Sequence, residues 1–455
     1  MNIVEYIRKN EKVTVPFYGL TRNKHHKEYL GFFKRSSLWS QEQIQNWQFQ
    51  KLWEIVDYAY RHVPFYHSLY KSIGFEPGDL KSLKDFEALP CISKEMIKEN
   101  EQLLCSDQSA NMEYRVDFTG GSTGQPMRFL IDDELYQRED AAYRFYWKTT
   151  GFSVGEKCIV LRGKKICSQD NKKIYEYNRF WNYMYLDSFY ITPDYFQMYR
   201  DAIQSFNARF IQAYPSSLCL LARLYSMAQK EAPKFQNIYL SSENVYPEQI
   251  EMIERVFRPD HIYNQYGHSE KVLLGLQMLD GKALGIMPQY GFLELIDEGG
   301  AVIRKESELG EIVGTSFSKV FPFIRYKTGD MTSYSMEKTE DYMRYWQKIN
   351  YIEGRLHEFI HTKDKRKVSI CTVGGAHIKE LNSVLDMQYE QFKEGELILN
   401  VVENPRQTLS EEDKKTIQRK YEDLFEKQIQ CQIKTVSTIE RTGRGKKVML
   451  VQHIV

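Results

Sequence analysis

Between residues 38 and 62 (LWSQEQIQNWQFQKLWEIVDYAYRH) apolar positions recur at helical spacing, with no Pro or Gly inside. The spacing predicts one long amphipathic helix, stopped by Val63-Pro64 because the residue before a proline is pushed out of the helical region. Ile92-Ser93-Lys94-Glu95-Met96 reads as a helix start, and residues 133–150 (DELYQREDAAYRFYWKTT) as another helix. Short β-rich runs follow at Lys157–Leu161, Arg209–Gln212 and Asn237–Leu240, alternating with helical segments at 194–206, 215–231 and 247–257. Such alternation predicts an α/β core with parallel strands.

From about residue 285 the pattern turns to strands and turns: Gly291-Phe-Leu-Glu-Leu-Ile-Asp-Glu-Gly-Gly300 alternates and ends in a turn, and Gly310-Glu-Ile-Val-Gly-Thr-Ser316 reads as a second strand. In the last hundred residues, strands near 397–402 and 431–436 flank a charged helix at 409–427, and Val448–Val455 is β-like. A boundary is placed near Gly354-Arg355, giving domains 1–354 and 355–455.

Composition narrows the function. The 455 residues are 42% hydrophobic and 14% aromatic, enough for a large core. Lys+Arg is 62 against Asp+Glu 61, so no bulk charge draws the chain to nucleic acid or an anionic membrane. The basic run Arg22-Asn-Lys-His-His-Lys27 reads as a solvated loop. No stretch approaches the length of an apolar membrane span. Seven scattered cysteines without C-x-x-C spacing give no zinc or disulfide framework, and with no apolar leader they fit the cytoplasm.

The strongest local signal is Asp117-Phe-Thr-Gly-Gly-Ser-Thr-Gly-Gln-Pro126. Glycines clear space for backbone N–H groups to approach phosphate oxygens, and the hydroxyls between them add donors. It is neither a Walker A loop nor a G-x-G-x-x-G fingerprint, and an ordinary polar turn reads the same way. Four further segments follow: Tyr263-Asn-Gln-Tyr-Gly-His-Ser-Glu270, Ile324-Arg-Tyr-Lys-Thr-Gly-Asp330, Ile352-Glu-Gly-Arg355 and Arg441-Thr-Gly-Arg-Gly-Lys446. Each alone has a bland alternative.

Their order is what decides. The series resembles the adenylate-forming (ANL) superfamily over residues 117–446. Val63-Pro-Phe-Tyr66, Leu89-Pro90 with Lys94, and Gln212-Ala-Tyr-Pro-Ser216 are similar to the branch of phenylacetate–CoA ligase and CapK-like capsular polysaccharide proteins.

The resemblance implies an α/β fold: a large N-terminal domain of mixed and parallel sheets flanked by helices, with a β-rich subdomain, and a small mobile α+β C-terminal domain. It implies that Thr119, Gly120, Gly121, Ser122, Thr123 and Gly124 hold the β- and γ-phosphates of ATP, and that Ser242 and Glu243 border the adenine. Tyr266 with Gly267 would lie on adenine, Ser269 and Glu270 at the α-phosphate and Mg²⁺, Asp330 on the ribose hydroxyls and Arg355 on ribose or phosphate. Lys446 would be the catalytic lysine, and Tyr214, Pro215 and His268 would line the acid pocket.

The implied reaction activates a carboxylic acid as an acyl or aryl adenylate and passes it to an amine, hydroxyl or thiol. Surface polysaccharide biosynthesis is the implied setting, with a sugar, an amino compound or CoA as acceptor and oligomerisation left open. Two alternatives stand beside it: an aryl- or acyl-CoA ligase, and a catalytically degenerate adenylate-binding protein. Three positions depart from the family pattern. Met127 and Arg128 stand where a lysine usually ends the phosphate loop, His357 stands at the hinge, and Ile360–Lys367 replaces a glycine-containing loop tied to thioester formation.

Overall fold

Helix α1, Lys24–Ser36, and helix α2, Gln41–His62, are joined by a short turn that ends in a capping box. The Ser40 hydroxyl accepts the Gln43 N–H, and the Gln43 side chain accepts the Ser40 N–H (2.9 Å). α2 stops at Val63 before Pro64, as its sequence predicts. The computed structural model describes residues 24–119, 127–153, 155–167, 173–355, 359–370, 383–442 and 445–454. The chain divides into two compact units, Met1–Val154 with Asn264–Tyr351 and Gly155–Tyr263 with Ile352–Val455.

In the first unit, hairpin strands β1 (Tyr114–Phe118) and β2 (Arg128–Asp132) lead directly into helix α3 (Asp133–Thr149), whose N-cap Asp132 accepts the Leu135 N–H at 2.8 Å. α1 packs along α3. This corrects the loop reading of the basic run: Lys24–Lys27 form the first turn of α1, and His26, 2% exposed, lies with Nε2 2.8 Å from Asp140 Oδ2. Packing overrides the unfavourable placement of cations at a helix N-terminus. Farther along, Gly291–Ile296, β3 (Gly310–Ser316) and β4 (Tyr326–Thr332) run antiparallel side by side. The end of the strand His261–Gly267 pairs antiparallel with Leu274–Gln277, followed by Leu284–Ile286 and Gln347–Ile349.

Beneath β4 lies a buried ion pair that no sequence pattern announces. Arg325 and Glu294, each with a side chain 3% exposed, meet through two bonds, Nε to Oε2 at 3.1 Å and Nη2 to Oε1 at 3.0 Å. Arg325 Nη1 also donates to the carbonyls of Glu87 and Leu89. Tyr66, fully buried, donates to Pro322 O (3.0 Å) and accepts Ile324 N–H (2.9 Å). Thus Val63–Tyr66 and Leu89-Pro90 are struts beneath β4.

In the second unit, Tyr183–Leu186, Cys158–Leu161, Phe210–Ala213 and Asn237–Ser241 are parallel in that order. Their fully buried faces explain why they read as unbroken apolar runs. Helix Phe196–Phe206, helix α4 (Pro215–Met227) and helix Pro247–Phe257 supply Ile203, Leu218, Leu221 and Ile253 to one core. The first ends at Asn207, φ 50°, in the left-handed region that Asn tolerates. The last part of the chain forms a sheet in the order Gln430–Thr435, Glu396–Glu403, Val384–Gln391, Leu450–Gln452, covered by helix Glu411–Leu424. The final strand is shorter than the β-like run of 448–455.

Among the described residues, no helix is long and apolar enough to cross a membrane. The architecture is the expected α/β one, with mixed sheets flanked by helices.

Candidate functional site

The Thr/Ser/Gly loop connects β1 to β2. Its stem is closed by a double bond between Thr119 and Met127: Thr119 N–H donates to Met127 O, and Met127 N–H to Thr119 Oγ1, both at 2.9 Å. Thr119 is buried; Gly120, Gly121, Ser122, Thr123 and Gly124 lie outside the described residues. Arg128 is not a spare cation for this loop, because its Nη1 is 2.5 Å from Glu101 Oε1. At the loop's entrance, Tyr136 on α3 donates to Asp117 Oδ2 (3.2 Å). Burial, reinforced by the Asp117 charge, pushes the Tyr136 hydroxyl up to about 12, which keeps it a donor.

Tyr266, Asp330 and His268 come together in the same unit. The Tyr266 hydroxyl donates to Asp330 Oδ2 (2.9 Å) and lies 2.5 Å from His268 Nε2, while His268 Nε2 is 3.7 Å from Asp330 Oδ2. The Tyr266 ring is set edge-on to His268, with centroids 4.7 Å apart. Its partner across the sheet is Gly275, where a Cβ would stand 3.1 Å from Tyr266 Cβ. An absent side chain thus makes room for the ring.

Backbone geometry sets Asp330. In the β3–β4 pairing Val313 opposes Lys327 and Glu311 opposes Met331, so Thr328-Gly329-Asp330 bulges against the single Ile312. Gly329 takes φ 78°, which glycine adopts without steric cost. The Thr328 hydroxyl donates to Ile312 O (2.8 Å) and accepts Asp330 N–H (3.2 Å), while Gly329 N–H donates to Glu311 Oε1 (3.1 Å). Asp330 is therefore a buried carboxylate on a rigid support. A carboxylate offers roughly four acceptor positions, which suits a vicinal diol.

Just after the tyrosine strand, Lys271 N–H bonds His268 O (3.2 Å) and Lys271 takes φ 55°. This turn carries Ser269 and Glu270, both half-buried, and Tyr326 of β4 donates to Glu270 Oε1 at 3.1 Å. Among the described residues no group of three or more His, Cys, Asp or Glu could hold a metal. Magnesium held by one carboxylate plus substrate phosphates needs no such cluster, and Glu270 fits that donor set.

The remaining candidates belong to the second unit. Tyr214 is the N-cap of α4 and Pro215 its first residue. Glu243 sits at that helix's positive end: its Oε2 accepts Ser216 N–H, and its Oε1 accepts the Ser216 hydroxyl (both 3.0 Å) and the Lys447 N–H (2.8 Å). Ser242 takes φ 71°, a left-handed conformation costly for a residue with a Cβ. Arg355 lies in a two-residue strand, with its side chain outside the described residues, as are His357, Cys371 and His377.

Lys446 stands in a tight turn. Gly445 N–H and Thr442 N–H bond Thr442 O (2.8 Å) and Lys446 O (2.9 Å), Gly445 takes φ 75°, and a Cβ there would stand 2.8 Å from Phe189. Its ammonium lies 5.9 Å from the Tyr214 ring centroid. Two adjacent lysines end this turn, and the structure separates them. Lys447 is buried with Nζ 2.7 Å from Asp386, whose other oxygen pairs with Arg441 at 3.3 Å. Burial opposes ionisation of Asp386, but the charges of Lys447, Arg441 and Arg223 together hold its carboxyl below the usual range. Folding therefore favours the ionised form, and this contribution is present above the unfolded pKa of about 3.9 and lost on acidification below it.

Replacing Glu243 by Ala is expected to lower stability by roughly 1–3 kcal/mol, because the donors it holds lose their acceptor. Glu243→Gln, which keeps an oxygen, should lose less, as read from urea melting curves. Equal melting of all three proteins would remove this role.

No family model matches the chain. In sequence it is similar to protein CapK of Staphylococcus aureus, 24% identical over 421 residues, covering 90% of this chain and 89% of that protein. It is also similar to phenylacetate-coenzyme A ligase of Escherichia coli (strain K12), 28% identical over 87 residues, 19% of this chain and 20% of that one. In structure it is similar to 2-hydroxyisobutyryl-CoA ligase in the postadenylation state in complex with R3-HIB-AMP, with TM-score 0.71, 16% identity and coverage of 90% and 89%. The anthranilate CoA ligase AuaEII in complex with anthranoyl-AMP matches at TM-score 0.52 and 14% identity over 73% of this chain and 65% of that one. These structural likenesses establish the fold.

Proposed function

We propose that this chain, a CapK-like member of the adenylate-forming superfamily and a ligase of that class, activates a small carboxylic acid with ATP and transfers the acyl group to an acceptor. The observation that carries the reading is the Tyr266–Asp330 pair, an aromatic ring fixed to a buried carboxylate on a glycine bulge. That is the donor and surface set a nucleoside needs: a π-face for the base and an anionic acceptor for the ribose diol. The hairpin loop at Thr119–Gly124 would cradle the phosphates, with Ser269 and Glu270 at the α-phosphate. Ser242 and Glu243 would border the adenine, Tyr214, Pro215 and His268 the acid, and Arg355 the ribose or phosphate.

Carboxylate oxygen attacks the α-phosphorus, pyrophosphate leaves with the electron pair of the broken P–O bond, and an acyl adenylate forms. No general base is needed, since the acid is already ionised at neutral pH. What is needed is positive charge where the phosphoryl oxygens gain negative charge, and Lys446 supplies it. Magnesium, held by Glu270, would add to that charge. The acceptor, an amine, hydroxyl or thiol, then displaces AMP. Residues 355–455 form the small domain that brings Lys446 to the first step. Similarity to CapK along most of its length supports a role in capsule or surface polysaccharide biosynthesis.

Acyl transfer to CoA is the second reading, favoured by the likeness to CoA ligases. Against it, the segment tied to thioester formation is here a hairpin, Phe359–His361 with Lys367–Ser369, with buried Phe359 and Ile360 and an exposed turn whose Lys365 and Arg366 pair with Glu394, Asp364 and Glu426. Hydroxylamine trapping across a panel of carboxylic acids should reveal ATP-dependent hydroxamate with one acid class. AMP release stimulated by CoA would favour the thioester reading. ATP binding without acid-dependent pyrophosphate release would leave only a nucleotide-binding protein.

Replacing Asp330 by Ala should raise KM for ATP by roughly 10- to 100-fold, the loss of one or two charge-assisted hydrogen bonds, with a smaller change in kcat. Steady-state kinetics with ATP varied would read this, and an unchanged KM would remove the ribose role.

A further inference from the structure

We infer that the first unit carries a binding site for a small organic anion with a planar apolar body, separate from the nucleotide motifs. The site is a cleft of about 660 Å³ between α1, α2 and the start of α3. One wall is aromatic and rigid: the Phe32 and Trp47 rings lie 5.8 Å apart, and Trp47 meets Phe317 edge-on at 5.6 Å. All three rings are half-buried.

Into this cleft faces Arg138, 8% exposed. Its guanidinium lies 5.4 Å from the Tyr290 ring and 6.0 Å from those of Tyr29 and Phe317, and its buried Nε has no hydrogen-bond partner. Beside it the Gln289 amide oxygen, also buried, has no donor. A buried guanidinium N–H without an acceptor is costly, and a ligand carboxylate would remove that cost by accepting from the Arg138 Nε.

The cleft also contains carboxylates, but those nearest Arg138 in the chain are already engaged. Asp132 accepts the Leu135 N–H (2.8 Å) and the Ser318 hydroxyl (2.5 Å), Asp133 pairs with Arg115 (2.5 Å), and Glu134 accepts the Tyr29 hydroxyl. Glu54 pairs with Lys51 at 2.6 Å, and Glu113 is exposed at the rim. Among the described buried side-chain atoms lining the cleft, those without a hydrogen-bond partner are the Arg138 Nε and the Gln289 amide oxygen. Rings that hold a guanidinium by its faces leave its edge for an anion and offer their own surface to an apolar body.

The lining differs from that proposed for the reacting acid. β1 and β2 pair from Phe118↔Arg128, next to the phosphate-loop stem, to Tyr114↔Asp132, at the cleft. Four residue steps along a strand place the two roughly 13 Å apart. The cleft's lining includes none of Tyr214, Pro215 and His268, proposed for the acid, nor Ser269 and Glu270, proposed for the α-phosphate.

Calorimetric titration of the full chain without ATP tests the assignment, using benzoate as probe and benzyl alcohol as its uncharged counterpart. Benzoate is expected to bind at roughly millimolar concentration or below, at least tenfold more tightly than benzyl alcohol. Arg138→Gln should weaken benzoate at least tenfold, and Asp330→Ala should leave it unchanged. Equal affinity in Arg138→Gln and the wild type would overturn the site, as would loss of binding only in Asp330→Ala. If Arg138→Gln does not fold, the Trp47 indole NMR signal, identified by its absence in Trp47→Phe, carries the same test. A benzoate-dependent shift is expected, and an unmoved signal overturns the assignment.

Discussion

Lys446→Ala should reduce acid-dependent pyrophosphate exchange by about 10²–10³-fold while lowering the melting temperature less than Lys447→Ala does. The magnitude is that of one preorganised charge on a developing oxyanion, ~2.7–4 kcal/mol. The contrast with its neighbour makes the experiment decisive. Lys447 is the lysine with structural duties: its ammonium sits on buried Asp386 and its N–H on Glu243. Lys447→Ala leaves Asp386 with one fewer counter-charge and should destabilise the protein, since removing one partner of a buried pair is costly. Lys446, by comparison, has its ammonium over the Tyr214 ring at 5.9 Å, a geometry worth only about 0.5–2 kcal/mol. A large rate loss with a smaller melting change than that of Lys447→Ala assigns Lys446 to chemistry. A melting loss with normal exchange would assign it to packing and end the catalytic reading.

That distinction between two adjacent lysines shows where sequence reading stops. Helix α2, α3 and the parallel strands were legible because each is a local pattern: apolar positions at helical spacing, a proline stop, an unbroken apolar run. The ordered motifs were legible because glycine marks positions of unusual backbone, and Gly329 does take a left-handed φ in a bulge that sets Asp330. Illegible were the pairings across long separations. Arg325 stands inside a motif read for its aspartate, yet its partner Glu294 is 31 residues away and the carbonyls it holds lie more than 230 residues upstream. Nothing local distinguishes that arginine from an exposed one. Likewise α1 begins with a basic run that looks solvated, and the packing of His26 beside Asp140 is a long-range contact that no local pattern announces. Tyr66 and Leu89 fell in motifs that marked a branch without disclosing a job; the structure gives them one, beneath β4.

Breaking that buried pair should have the largest effect on stability of any single change considered. Arg325→Ala leaves the Glu294 carboxylate buried without its counter-charge and two carbonyls without a donor. The expected loss is about 3–5 kcal/mol. For a unit of this size that corresponds to a drop of roughly 6–20 °C in melting temperature. Arg325→Lys should recover only part, because an ammonium cannot reproduce the planar fork that serves Glu294 and the Glu87 and Leu89 carbonyls together. Removing both charges, as in Glu294→Leu with Arg325→Met, should be less damaging than either single truncation, since the double change leaves no uncompensated charge. Function should follow, because Arg325 lies on the segment that leads into Thr328-Gly329-Asp330 and fixes it against the Leu89 region. At temperatures where Arg325→Lys is still folded, its affinity for ATP should fall although no Arg325 atom is assigned to the nucleotide. Urea melting of the wild type, Arg325→Ala, Arg325→Lys, Glu294→Leu, Arg325→Met and the double variant, with ATP titrations on those that remain folded, tests both halves. If Arg325→Ala melts like the wild type, the pair is not the support beneath β4; if Arg325→Lys binds ATP normally, the support does not govern the position of Asp330.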